Sequence, residues 1–107
     1  MFDVSAITKR YFDIRIAVET DDGETKKVEL QVEPPKVKQL NKLIAVSSAG
    51  NDEVFVELRD AVRDVLSKNK TGYKVPEEYV DNLDTDQLTG ILTAYLDWVA
   101  KEKQAKN

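Results

Sequence analysis

Tyr95 and Trp98 have the clearest capacity for recognition chemistry in this chain, because each joins a large apolar ring to a polar handle, the combination enriched in interface hot spots. Trp98 has a second reading as the residue that closes one side of the core. Asp81, Asp84 and Asp86 lie close enough in sequence to hold a hard cation such as Ca²⁺ or Mg²⁺ through carboxylate oxygens. The EF-hand spacing is missing, however, and helix capping with N-terminal charge placement is the simpler reading. Asp21-Asp22-Gly23 lies between two alternating runs and reads as a turn. Lys36, Lys38 and Lys42, with Lys9 and Arg10, supply charge for a phosphate-contacting patch, but no aromatics interleave with them and a solvated face explains them as well. The chain has no Cys and no His, so it lacks thiolate nucleophiles, Cys-based zinc sites and the commonest general base. No catalytic set, metal site or cofactor site is legible. The expectation is a binding protein, not an enzyme.

Tyr95 and Trp98 sit in the most strongly patterned stretch, Asp84 to Ala100. There Leu88, Ile91, Leu92, Tyr95, Leu96 and Val99 recur at the spacing that stacks side chains on one face of an α-helix. Asp84 with Gln87 three residues on has the order of a capping box and marks the helix start. At about 100° per residue the apolar stripe spans roughly 160° once Trp98 is included, wider than one small-domain contact needs. That surplus width makes Leu88, Ile91, Leu92, Tyr95 and Trp98 the candidate partner-binding residues. Gly90 and Ala94, on the adjoining face, would let another helix approach closely.

Upstream, Phe12, Ile14, Ile16 and Val18 alternate with polar residues and Ala17, and Val28, Leu30 and Val32 do the same after a Thr20–Glu24 turn segment. This predicts a β-hairpin over residues 10–33, whose apolar face must be covered, since two strands alone are marginal in water. Pro34-Pro35 ends the second strand. A helix is expected from about Pro35 to Ser48, with Val37, Leu40, Ile44 and, at its edge, Ser47 as its stripe, Leu43 flanking it and Val46 on the far side. Gly50 reads as its C-cap. Asn51 or Asp52 caps a second helix, whose Val54, Phe55, Leu58, Ala61, Val62, Val65 and Leu66 form a clean stripe. A connector containing Gly72 follows, then a short helix from Pro76 to Leu83 that buries Tyr79, Val80 and Leu83. Residues 1–9 have no clear period and suit an added strand or short helix, and 101–107 should fray.

Strands first and helices after, without βαβ alternation, argue for an α+β fold: an N-terminal β-hairpin packed against a small bundle of three to four α-helices. At 107 residues the chain is the size of one domain, and residues 1–107 are read as one because neither the hairpin nor the helical part at 35–100 could bury its apolar face alone. A net charge of −4 gives no general attraction to nucleic acid or anionic lipid. No stretch is apolar enough to span a membrane, and no secretory signal is apparent, so a cytoplasmic location is expected.

The charged hairpin, the acidic amphipathic helix and the closing D-x-x-Q-L-x-x-I-L-x-x-Y-L helix, carried by Asp84, Gln87, Leu88, Ile91, Leu92, Tyr95 and Leu96, resemble the small tail assembly chaperones of long-tailed bacteriophages and prophages. The resemblance implies a non-enzymatic protein of the bacterial host cytoplasm that binds the tape-measure protein, assists assembly of tail tube protein and is absent from the mature tail. It also implies possible homo-oligomers and a frameshifted longer form extending from the polar C-terminus. The alternative expectation is a structural phage component, such as a head–tail connector or minor tail protein, in which the hairpin's edge strand builds a ring.

Overall fold

The computed structural model describes residues 1–48 and 54–101. Its N-terminal segment forms a single 3-10 turn at Val4–Ala6, capped by the Asp3 carboxylate, which accepts from the Ser5 N–H. The alternating runs then form strands β1 (Phe12–Glu19) and β2 (Thr25–Val32). They pair antiparallel from Phe12 opposite Val32 to Glu19 opposite Thr25, which gathers the apolar residues of both on one face. Ile16, Val18, Leu30 and Val32 are buried there, with Phe12, Ile14 and Val28 partly buried beside them. Gly23, at φ 86°, takes the left-handed position that closes the turn. Asp21 does more than turn the chain: its N–H donates to Glu78 Oε2 at 2.8 Å and its carboxylate accepts from Asn82.

Helix α1 covers Val37–Ser48, starting later than its sequence suggests, because Pro34, Pro35 and Lys36 carry the chain off the strand in non-helical conformations. Its buried face also differs from the expected stripe. Leu43 and Val46 are buried, whereas Val37 is 75% exposed and Ile44 48%. The cause is that α1 carries apolar residues nearly all round, so its own periodicity permits two stripes. Packing against α2 (Val54–Leu66) selects one. Helix α2, with its single sharp stripe, behaves as expected, burying Leu58, Ala61, Val62, Val65 and Leu66. The proposed caps at Gly50, Asn51 and Asp52, the side chains of Ser47, Val54 and Phe55, and the tail at 102–107 lie outside the described residues.

The connector after α2 is built around Asn69, which is buried. Its amide donates to the carbonyls of Leu66 and Tyr73, and its Oδ1 accepts from the Tyr73 N–H and the Thr71 hydroxyl. The same segment lies along β2: Asn69 bridges Val32, Lys70 N–H donates to the Gln31 carbonyl, and Glu33 N–H to the Lys68 carbonyl. It therefore covers backbone groups at the end of an otherwise open sheet edge. Helix α3 is one short piece, Glu77–Asp81, with Pro76 as its N-cap residue, and it buries Val80 while Tyr79 and Leu83 pack beside the core.

Helix α4 spans Thr85–Lys101. Its start is a reciprocal capping box, with Gln87 N–H donating to Asp84 Oδ1 at 2.7 Å and Asp84 N–H to Gln87 Oε1 at 2.9 Å. One apolar cluster draws buried residues from both strands, all four helices and Val75, which gives the α+β hairpin-on-helices architecture. Among the described residues no helix is long and apolar enough to cross a membrane.

Candidate binding surface

The five residues singled out on α4 are brought together, but mainly inward. Leu88, Leu92 and Tyr95 are buried, and Ile91 and Trp98 are partly buried against the core. The surplus width of the α4 stripe is thus taken up by the chain's own N-terminal part. Phe12 of β1 meets Tyr95 edge-on at 5.6 Å and Trp98 at 5.6 Å, and the rings of Tyr95 and Trp98 stack at 5.8 Å. Arg10 covers the outer indole face, its guanidinium carbon 4.1 Å from the ring centroid. The same guanidinium donates to the carbonyls of Trp98 and Val99 at 3.2 Å, placing positive charge at the C-terminal end of α4. Tyr95 Oη donates to the Glu33 carbonyl at 2.7 Å, so the ring is buried with its polar tip satisfied. Burial pushes the Tyr95 phenol well above its ordinary pKa, the Glu33 charge adding to this and Arg10 opposing it.

The carboxylates near the α4 start have separate tasks. Asp84 caps, Asp81 pairs with Arg59 at 2.9 Å, and Asp86 occupies the first turn. Among the described residues no group of three acidic side chains converges as a metal site would require. Asp22 is the turn residue expected, accepting from the Thr20 hydroxyl and the Glu24 N–H. Those bonds hold its carboxyl below the usual range.

The exposed apolar side chains lie elsewhere. On the helical pair, Val37 and Val56 are 75% and 55% exposed, with Ile44 half-exposed. Met1, Phe2, Val4 and Ile7 are exposed along the N-terminal segment. On its other flank α1 borders a groove of about 270 Å³ shared with α2, lined by Lys36, Lys38, Gln39, Lys42, Leu43, Ala61, Asp64 and Lys68. The lysine group noticed in the sequence is therefore assembled on one rim. Its companions differ from those expected: Lys9 pairs with Glu33 and Arg10 lies on Trp98, while Lys68 joins from the end of α2. Sequence periodicity carried no signal for Lys68, because the contact depends on how the two helices are laid side by side.

No protein-family model, curated protein or solved structure matches the chain.

Proposed function

We propose that this chain is a non-enzymatic binding protein, a phage tail assembly chaperone that holds helical segments of a tape-measure protein, and that the α1–α2 pair is its binding surface. The observation carrying the surface assignment is that Val37 and Val56 stand exposed on this pair while the α4 aromatics are consumed internally. Exposed apolar side chains on a helix pair suit recognition of amphipathic helices, which needs contact area and no titrating group. The chaperone assignment itself is supported by the resemblance of the hairpin, the acidic helix and the closing Asp84–Leu96 pattern.

The test is co-expression with tail proteins followed by affinity capture. The wild-type protein should capture a tape-measure fragment, and Val37→Asp with Val56→Asp should lose it while leaving the melting temperature nearly unchanged. Capture of no tail protein would overturn the chaperone reading, and capture undisturbed by the double variant would overturn the surface.

A structural tail or connector component is the second reading. The two-stranded sheet favours it, since β1 forms one edge and could add a strand from a neighbouring copy. It predicts stoichiometric recovery of the protein from purified virions by mass spectrometry, where a chaperone would be absent.

A further inference from the structure

We infer that the groove between α1 and α2, on the flank of α1 away from Val37, is a docking site for an acidic amphipathic helix, a proposal that rests on the partner-binding reading and goes beyond it by adding a second contact face and naming the partner's chemistry. The lining pairs the first half of α1 with the last half of α2, so the two helices run antiparallel and leave a shallow trough between them. Four lysines stand around it against the single carboxylate of Asp64, in a protein whose net charge is −4. Elsewhere Lys9, Arg15, Lys26 and Arg59 are paired with carboxylates. Among the described residues, Lys36, Lys38, Lys42 and Lys68 form no ion pair.

Their position raises the local potential further. Helix α1 has no acidic residue in its first turn, and its hydrogen-bond ladder begins at the Lys36 carbonyl, which accepts from the Leu40 N–H at 2.9 Å. Lysines therefore crowd the end of the helix whose dipole repels them. An incoming anion would relieve this repulsion and that among the clustered lysines themselves.

The shape favours carboxylates on a helix over a compact phosphate. Lys38 and Lys42 are one helical turn apart, about 6 Å between Cβ atoms, the same separation as carboxylates at i and i+4 on a facing helix. Between the lysines lie Leu43 and the small Ala61, and the lysine methylene stems extend this apolar floor. A volume of about 270 Å³ accepts side chains from one face of a helix. The lining has no arginine fork for a bidentate phosphate contact and no aromatic ring on which a base would stack. Asp64 within the rim further opposes a dense polyanion, yet can accept from a basic side chain of a helix whose charges alternate.

The experiment uses a fluorescent stapled helical peptide with leucines on one stripe and glutamates at i and i+4 beside it, titrated with the full chain by anisotropy. The wild-type protein should bind it, more weakly as salt rises, and Lys38→Glu with Lys42→Glu should weaken binding at least about tenfold. The double variant Lys26→Glu with Lys27→Glu, on the hairpin, should bind like wild type. Equal binding of a peptide carrying lysines in place of the glutamates, or undiminished binding by the α1 variant with its melting temperature intact, overturns the proposal. So does pyrophosphate binding at these lysines with no peptide binding, which would reassign the groove to a compact phosphate anion. Peptide binding without capture of any tail protein would leave the groove standing and remove the chaperone reading. Capture of a tape-measure fragment equally by wild type and the Lys38→Glu, Lys42→Glu variant, with no peptide binding, would do the reverse.

Discussion

The indole of Trp98 is held by Tyr95 on one side, by Phe12 on another and by the Arg10 guanidinium over its face. Arg10 in turn is held by the last carbonyls of α4, so removing the ring also loosens the chain entering β1. Trp98→Ala should accordingly cost about 2–3 kcal/mol, somewhat below the range for a fully buried ring, with partner capture per folded molecule unchanged. Chemical denaturation alongside capture checks this, and a variant of wild-type stability that loses its partner would return the binding surface to α4. Asn69 makes a sharper case, because its side chain satisfies the backbone of the connector. Replacing it with Ala leaves the carbonyls of Leu66 and Tyr73 and the Tyr73 N–H without that partner. The loss should be at least about 2 kcal/mol, and hydrogen exchange of residues 69–75 should accelerate. Unchanged exchange there would mean the connector is fixed by its β2 bonds alone.

Among the elements, α1 and α4 show where local pattern runs out. Leu43 is 1% exposed and its neighbour Ile44 48%, an assignment that depends on α2 and not on α1 itself. Leu43→Ala should therefore destabilise by about 2–4 kcal/mol and Ile44→Ala by less than about 1 kcal/mol, measured by urea unfolding. Comparable losses would mean that α1 is rotated about its axis. The hairpin, α2 and the capping box of α4 were legible in the sequence because each rests on near neighbours: alternating residues, one clean stripe, and Asp84 with Gln87. The fate of the α4 stripe was not. Its width shows in the periodicity, but what covers it comes from Phe12 and Arg10, and the Arg10–Trp98 bond spans 88 residues. The lysine groove was half legible for the same reason: Lys36, Lys38 and Lys42 are local to α1, while Lys68 reaches the site only through tertiary packing.

At the scale of the whole molecule, the absence of His leaves no side chain whose ordinary titration falls between about pH 5 and 8, so stability should be nearly flat there. The limits come from other groups. On the acid side, Asp22 and Asp3 are held below their usual range by bonds from Thr20 and Ser5, so below about pH 4 the unfolded chain takes up protons that the folded chain does not, and stability declines. On the alkaline side the sign is reversed in origin but not in effect. The unfolded phenol ionises near pH 10, whereas burial keeps Tyr95 protonated in the fold, so the unfolded state is favoured as pH rises, by up to about 1.4 kcal/mol per pH unit for one group. The Tyr73 phenol, raised by partial burial and by the neighbouring Tyr79 phenol, adds to the same limb. Tyr95→Phe should lower the plateau by about 1–2 kcal/mol, because the Glu33 carbonyl loses its donor, and should make the decline above about pH 10 shallower without abolishing it. Melting temperatures recorded from acid to strongly alkaline pH for both proteins test this. Parallel alkaline limbs would show that Tyr95 ionises as freely in the folded chain as in the unfolded one, and that the ring is open to water at the α4–β1 contact.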